Sequence, residues 1–72
     1  MRQSKIALEK IGARIRDVRI NKQIKQATLA KSVNLSKSEI SRIENGQRET
    51  KIIKLLEIAR VLDIKPSLLF EE

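Results

Sequence analysis

The 72-residue chain has no cysteine and no histidine. Disulfides, thiolate nucleophiles, imidazole bases and the usual zinc ligand sets are thereby excluded. A magnesium site built from oxygens alone would need an Asp-rich loop, and the sequence contains none. Tryptophan and tyrosine are absent too, which leaves Phe70 as the only aromatic residue. Modules that grip single-stranded DNA or RNA stack bases on aromatic rings, so that chemistry has no support here. No apolar run approaches the roughly 18 residues of a membrane helix. Residues 1–10 carry charges within their apolar stretch and lack a signal-peptide core, so a cytoplasmic protein without a membrane partner is expected. There is no sustained period-2 alternation, and the one Asn-Gly, Asn45-Gly46, follows a helical pattern. With no His or Cys and no carboxylate pair on a candidate cleft, neither an enzyme, a cofactor nor a small-molecule substrate is expected. Glu71-Glu72 suits a solvated tail.

Positive charge is abundant: 16 Lys and Arg stand against 9 Asp and Glu, a formal net charge of +7. A compact domain this basic attracts polyanions, nucleic acid first and an anionic membrane second. A surplus that merely keeps the surface solvated would give the same figure. Basic charge without stacking rings points towards duplex DNA. The length suits one domain, residues 1–72, near the lower size at which a hydrophobic core alone supports folding.

Apolar spacing predicts an all-α, five-helix bundle. Leu8, Ile11, Ile15 and Val18 recur at three, four and three, one face of a first helix beginning between Ser4 and Leu8 and ending near Lys22. Gly12 inside it costs up to about 1 kcal/mol in propensity, which suggests a close helix–helix approach. A second helix is expected over about 26–32, with Leu29, Ala30 and Val33 turned inward. Asn34 tolerates a left-handed turn, and Leu35 can plug the core from it. Ser36-Lys37-Ser38-Glu39 has the S-x-x-E pattern of a capping box, so a third helix starts at Ser36, and Gly46 supplies its stop. A fourth helix is expected over about 51–62 with Ile52, Leu55, Leu56, Ala59 and Leu62 inward. Pro66 opens a fifth that holds Leu68, Leu69 and Phe70.

Two short helices around a tight turn, over about 26–45, suit a helix-turn-helix whose second helix enters the DNA major groove. At about 100° per residue, Ile40 and Ile43 share one side of that helix, while Lys37, Ser38, Ser41 and Arg42 share the other. Lys37 and Arg42 can donate to guanine O6 and N7 or to phosphate. Ser38 and Ser41 are small and add little base discrimination alone. Any surface helix carries a polar face; the capping box, the turn and the net charge weigh against that plainer explanation.

These residues resemble the Cro/lambda-repressor-type (Xre) helix-turn-helix family over about 11–70. The resemblance rests on Ile15-Arg16 and Arg19, on Gln26 with Leu29-Ala30, on Ser36 with Ile40-Ser41 and Ile43-Glu44-Asn45-Gly46, and on Leu55, Ala59 and Leu62. It implies a five-helix DNA-binding domain that regulates transcription, usually as a symmetric dimer. Position by position, it implies that Ser36, Lys37, Ser38 and Arg42 reach base edges, with Ser41 on the same face. Gln26, Asn45 and Arg48 would contact the DNA backbone, and Lys25 and Lys51 are placed with them. Arg19 and Glu44 match a pair that often forms an internal salt bridge. The residues agree, because Glu44 lies nearer Ile40 and Ile43 than the basic face, and a carboxylate near phosphates is repelled. The chain departs from the family pattern at Lys25, where a capping Thr or Ser is frequent, at Gln23 and Asn34, where glycine is frequent, and in the loop 47–50, which lacks a proline. Thr50 is a candidate cap for the fourth helix.

One recognition helix reads few base pairs, so specificity usually needs two half-sites about 34 Å apart. Ile53, Ile58, Val61, Ile64, Leu68, Leu69 and Phe70 cannot all point inward. A homodimer interface is therefore expected within about 58–70, formed by Val61, Ile64, Leu68, Leu69 and Phe70; the alternative is that these residues close a monomer's core. The expected function is a sequence-specific regulator that binds a pseudo-palindromic operator in double-stranded DNA. The alternative is a protein-interaction module on the same fold, which would tolerate Lys37→Ala and Arg42→Ala and show little salt dependence.

Overall fold

The computed structural model describes residues 2–71, with side chains described over 8–71. Five helices follow one another: α1 (Arg2–Asn21), α2 (Gln26–Ser32), α3 (Lys37–Glu44), α4 (Ile52–Val61) and α5 (Pro66–Leu69). No strand occurs among the described residues. Ile15 of α1, Leu29, Ala30 and Val33 around α2, Ile40 and Ile43 of α3, Leu55, Ile58, Ala59 and Leu62 around α4, and Leu69 of α5 form one buried core.

Four of the helices end in the same way. At α1, α2, α3 and α4 the residue two beyond the last helical one has a positive φ: Gln23 at 60°, Asn34 at 57°, Gly46 at 69° and Asp63 at 58°. The next amide then reaches back to the helix: Ile24 N–H to the Arg19 carbonyl at 3.0 Å, Leu35 to Ala30 at 2.9 Å, Gln47 to Arg42 at 2.8 Å and Ile64 to Ala59 at 3.0 Å. This pattern satisfies carbonyls that a helix end leaves without partners. It also drops an apolar side chain onto the core, since Ile24, Leu35 and Ile64 all pack against it. Only one of the four left-handed positions is glycine. The other three carry a side chain where a backbone without Cβ would be more relaxed.

The glycines explain how closely α3 is held. A Cβ on Gly12 would collide with the Ile43 carbonyl oxygen and lie 2.8 Å from that of Glu44. The middle of α1 thus rests directly on the C-terminal backbone of α3. Gly46 combines its positive φ with a contact in which a Cβ would approach Glu9 to 2.7 Å at Cα.

The face of α4 differs from the sequence expectation. Ile52 and Leu56 are exposed, at 63% and 41%, whereas Ile58 is fully buried. The inward stripe is Leu55, Ile58, Ala59 and Leu62, spaced three, one and three. Ile52 would share that face by spacing, but as the first residue of α4 it is left exposed. Thr50 does not cap α4: the N-cap is Lys51 without a side-chain bond, and the buried Thr50 Oγ1 has no hydrogen-bond partner among the described residues. Helix α1 starts at Arg2, ahead of the 4–8 window.

Candidate nucleic-acid interface

Helix α3 packs against both α1 and α2, and its orientation is fixed by a buried polar knot at its C-terminal end. Arg19 donates twice to the Glu44 carboxylate, from Nε to Oε2 at 2.6 Å and from Nη2 to Oε1 at 3.0 Å. Arg19 Nη1 also donates to the Ile24 carbonyl at 2.8 Å, and Gln26 Nε2 donates to Glu44 Oε1 at 3.0 Å. The end of α1, the start of α2 and the last residue of α3 are thereby tied through one carboxylate. Both charged side chains are nearly inaccessible, 10% for Arg19 and 1% for Glu44. Charges this deep are tolerable only when fully paired, and the bidentate geometry with a third donor meets that condition.

The N-terminal end of α3 is set by the capping box. Glu39 N–H donates to Ser36 Oγ at 3.0 Å, and Ser36 N–H donates to Glu39 Oε1 at 2.9 Å. The remaining oxygen, Oε2, accepts from Arg48 Nη1 at 2.6 Å. The Ser36 backbone bond first, and Arg48 second, hold the Glu39 carboxyl below its ordinary value of 4.5.

Between these two anchors the outer face of α3 stands clear. Ser36, Lys37, Ser38 and Arg42 are exposed and Ser41 is half-buried, while Ile40 and Ile43 on the opposite face are in the core. Among the residues expected to meet the DNA backbone, Lys25, Asn45 and Lys51 are exposed. Gln26 is half-buried with one amide hydrogen committed to Glu44; the amide has a second hydrogen that can be donated elsewhere. Arg48 is brought to the same surface but is engaged by Glu39. That pairing had no signal in the sequence beyond the capping pattern itself, because its members lie nine residues apart across a helix end.

The expected dimer surface needs one correction. Leu69 is fully buried among the core residues, so it closes the protomer's own interior. Val61, Leu68 and Phe70 are exposed, and Ile64 is half-buried against the core. Leu68 and Leu69 are adjacent apolar residues of one short helix, about 100° apart, and the docking of α5 decides which of them turns inward. Arg14 helps to seat α5 by donating from Nη1 to the Leu69 carbonyl at 3.3 Å.

A short helix, α2, turned about Asn34 onto a second, α3, which is braced at both ends and exposes a basic face, is a helix-turn-helix DNA-binding unit. The sequence model of the helix-turn-helix family HTH_3, of Cro/C1 type, matches residues 15–69, and the chain belongs to this family of DNA-binding transcriptional regulators. Among solved structures, the chain is similar to the restriction-modification controller protein C.AhdI from Aeromonas hydrophila. The two are 38% identical with a TM-score of 0.85, over 92% of this chain and 96% of that one. It is also similar to PlcR of Bacillus thuringiensis, solved with the peptide PapR7 and DNA, at 32% identity and a TM-score of 0.79. That likeness covers 88% of this chain but 22% of PlcR. The clp gene regulator ClgR of Corynebacterium glutamicum shares the fold at 24% identity and a TM-score of 0.85, over 88% of this chain and 67% of ClgR. No curated protein matches the chain. Among the described residues no helix is long and apolar enough to cross a membrane.

Proposed function

We propose that residues 1–72 act as one sequence-specific DNA-binding domain, which works as a homodimer on a pseudo-palindromic operator. The observation that carries this reading is the double anchoring of α3. Its C-terminus is fixed by Arg19, Gln26 and Glu44, its N-terminus by Ser36 and Glu39, and the face between them is open. A helix held at both ends enters the major groove without first having to be ordered, which removes an entropic cost of binding. Lys37 and Arg42 supply guanine contacts, and Ser36, Ser38 and Ser41 make the shorter polar ones. Lys25, Gln26, Asn45, Arg48 and Lys51 flank them as phosphate contacts, which position the domain without reading sequence.

The second half-site requires a second copy. Val61, Leu68 and Phe70, with Ile64 at the edge, form the interface of this reading, an apolar surface at the end of α4 and along α5. Regulation follows from occupancy of the operator in the cytoplasm. Near-complete mutual coverage with a restriction-modification controller supports a controller-type role. The test is selection from a random duplex library at about 150 mM salt, with sequencing of the bound pool. A two-fold symmetric motif with half-sites one helical turn apart is expected. Bound DNA without a motif would reject sequence specificity, and no bound DNA would favour a protein-interaction module.

A further inference from the structure

Arg48 donates to Glu39 at 2.6 Å, and the two side chains are 36% and 37% exposed. The pair is therefore partly exposed, at the first turn of α3, which also carries Lys37, exposed without a carboxylate partner among the described residues. The cap and the helix N-terminus both favour a carboxylate here, yet any phosphate that approaches this end of α3 is repelled by it. The cap does not demand it, since glutamine serves the same position of a capping box.

Building on the function proposed above, we infer that Glu39 competes with the DNA backbone for Arg48 and thereby limits the strength of DNA binding. Carboxylate and phosphate are equivalent acceptors for a guanidinium, each taking a charge-assisted hydrogen bond. Arg48 cannot shed its charge, so it must choose between them or bridge them. If it stays with Glu39, its charge is cancelled locally and one phosphate contact is lost. If it leaves, Glu39 faces the phosphates uncompensated. If it bridges, its one positive charge is shared between two anions, so every arrangement binds DNA more weakly than a chain with a neutral residue at position 39. Exposed ion pairs are weak, so phosphate can win the contest at a cost. The cost falls equally on every DNA sequence, because phosphates carry no base identity.

The test measures binding of the full chain to a mixed-sequence duplex and to the selected operator by fluorescence anisotropy over a salt series. Wild type, Glu39→Gln, Arg48→Met and the double variant are compared. Glu39→Gln keeps the cap, and Arg48→Met keeps Glu39 in it; matched thermal melts check that both fold. Glu39→Gln is expected to bind both duplexes about three- to fivefold more tightly, with a salt slope steeper by up to about 0.9. Arg48→Met is expected to cost at least about threefold more in the Glu39→Gln background than in wild type. Equal losses in the two backgrounds would mean that Glu39 does not hold Arg48 back. Unchanged affinity in Glu39→Gln would overturn the inference, as would a changed preference at one base position, which would make Glu39 a base reader. Absence of salt-dependent duplex binding by the wild type would instead remove the DNA-binding reading itself, and the inference with it.

Discussion

Arg19→Met is the most informative single change to this fold. The substitution keeps most of the side chain's length and apolar stem but removes every donor. Glu44 then keeps one of its three hydrogen bonds, from Gln26 at 3.0 Å, and remains a buried carboxylate. The Ile24 carbonyl loses its bond from Arg19 as well. Removing one partner of a buried pair costs about 3–5 kcal/mol. A domain of this length holds about 4–11 kcal/mol in all, at about 0.05–0.15 kcal/mol per residue. The loss therefore consumes a large share of the total. Urea unfolding followed by far-UV circular dichroism reads it directly: with a slope of about 1–1.5 kcal/mol/M, the midpoint falls by about 2–5 M. The companion variant, Arg19→Met with Glu44→Leu, leaves no unpaired charge, and Gln26 is open enough to turn to water. It is expected within about 2 kcal/mol of wild type, since an apolar replacement of a buried pair is often neutral. A loss below about 1 kcal/mol for the single variant, or a double variant no more stable than the single, would refute this account of the knot.

The left-handed turns offer a gain: Gln23→Gly and Asp63→Gly should each raise stability by up to about 1 kcal/mol, and a lower urea midpoint would show that their side chains have an unrecognised role. At the end of the chain, Leu69→Lys should unfold the domain because it buries a charge, whereas Leu68→Lys should give a folded monomer with weak operator binding. Sedimentation of a Leu68→Lys variant that stays dimeric at micromolar concentration would place the interface elsewhere. Arg42→Ala should relax preference at one base position in each half-site at about 1–3 kcal/mol, while Lys25→Ala weakens all sequences alike; an unchanged profile for Arg42→Ala moves Arg42 to the phosphate contacts. Because the folded-state value of Glu39 is depressed, its stabilising contribution is complete above 4.5 and fades as pH falls through the lower folded value. Acid melts of Glu39→Gln should lack that component, and identical acid profiles for the two proteins would contradict it.

The local grammar of the chain is strong wherever a residue has a single job. The Ser36–Glu39 pattern implied the cap that forms, Gly46 the stop of α3, and Gly12 a close helix–helix approach whose partner the structure shows to be α3, because each depends on neighbours a few residues away or on the absence of a side chain. Arg19 and Glu44 were legible through the family pattern, and their residue types alone required a partner if buried. Helix α4 was not legible in the same way. Ile52, Ile53, Leu55, Leu56, Ile58 and Val61 wrap it in apolar side chains, so periodicity offers several inward faces of similar merit. The choice of Leu55, Ile58, Ala59 and Leu62 depends on where the other helices lie, and the same is true of Leu69 over Leu68. Sequence alone thus determined that there are five helices, both ends of α3 and its polar face, since those follow from interactions within one or two turns. Tertiary structure alone decided which apolar residues of α4 and α5 are core and which remain exposed, and it brought Arg48 to Glu39, because these outcomes depend on contacts between segments whose spacing along the chain carries no periodic signal.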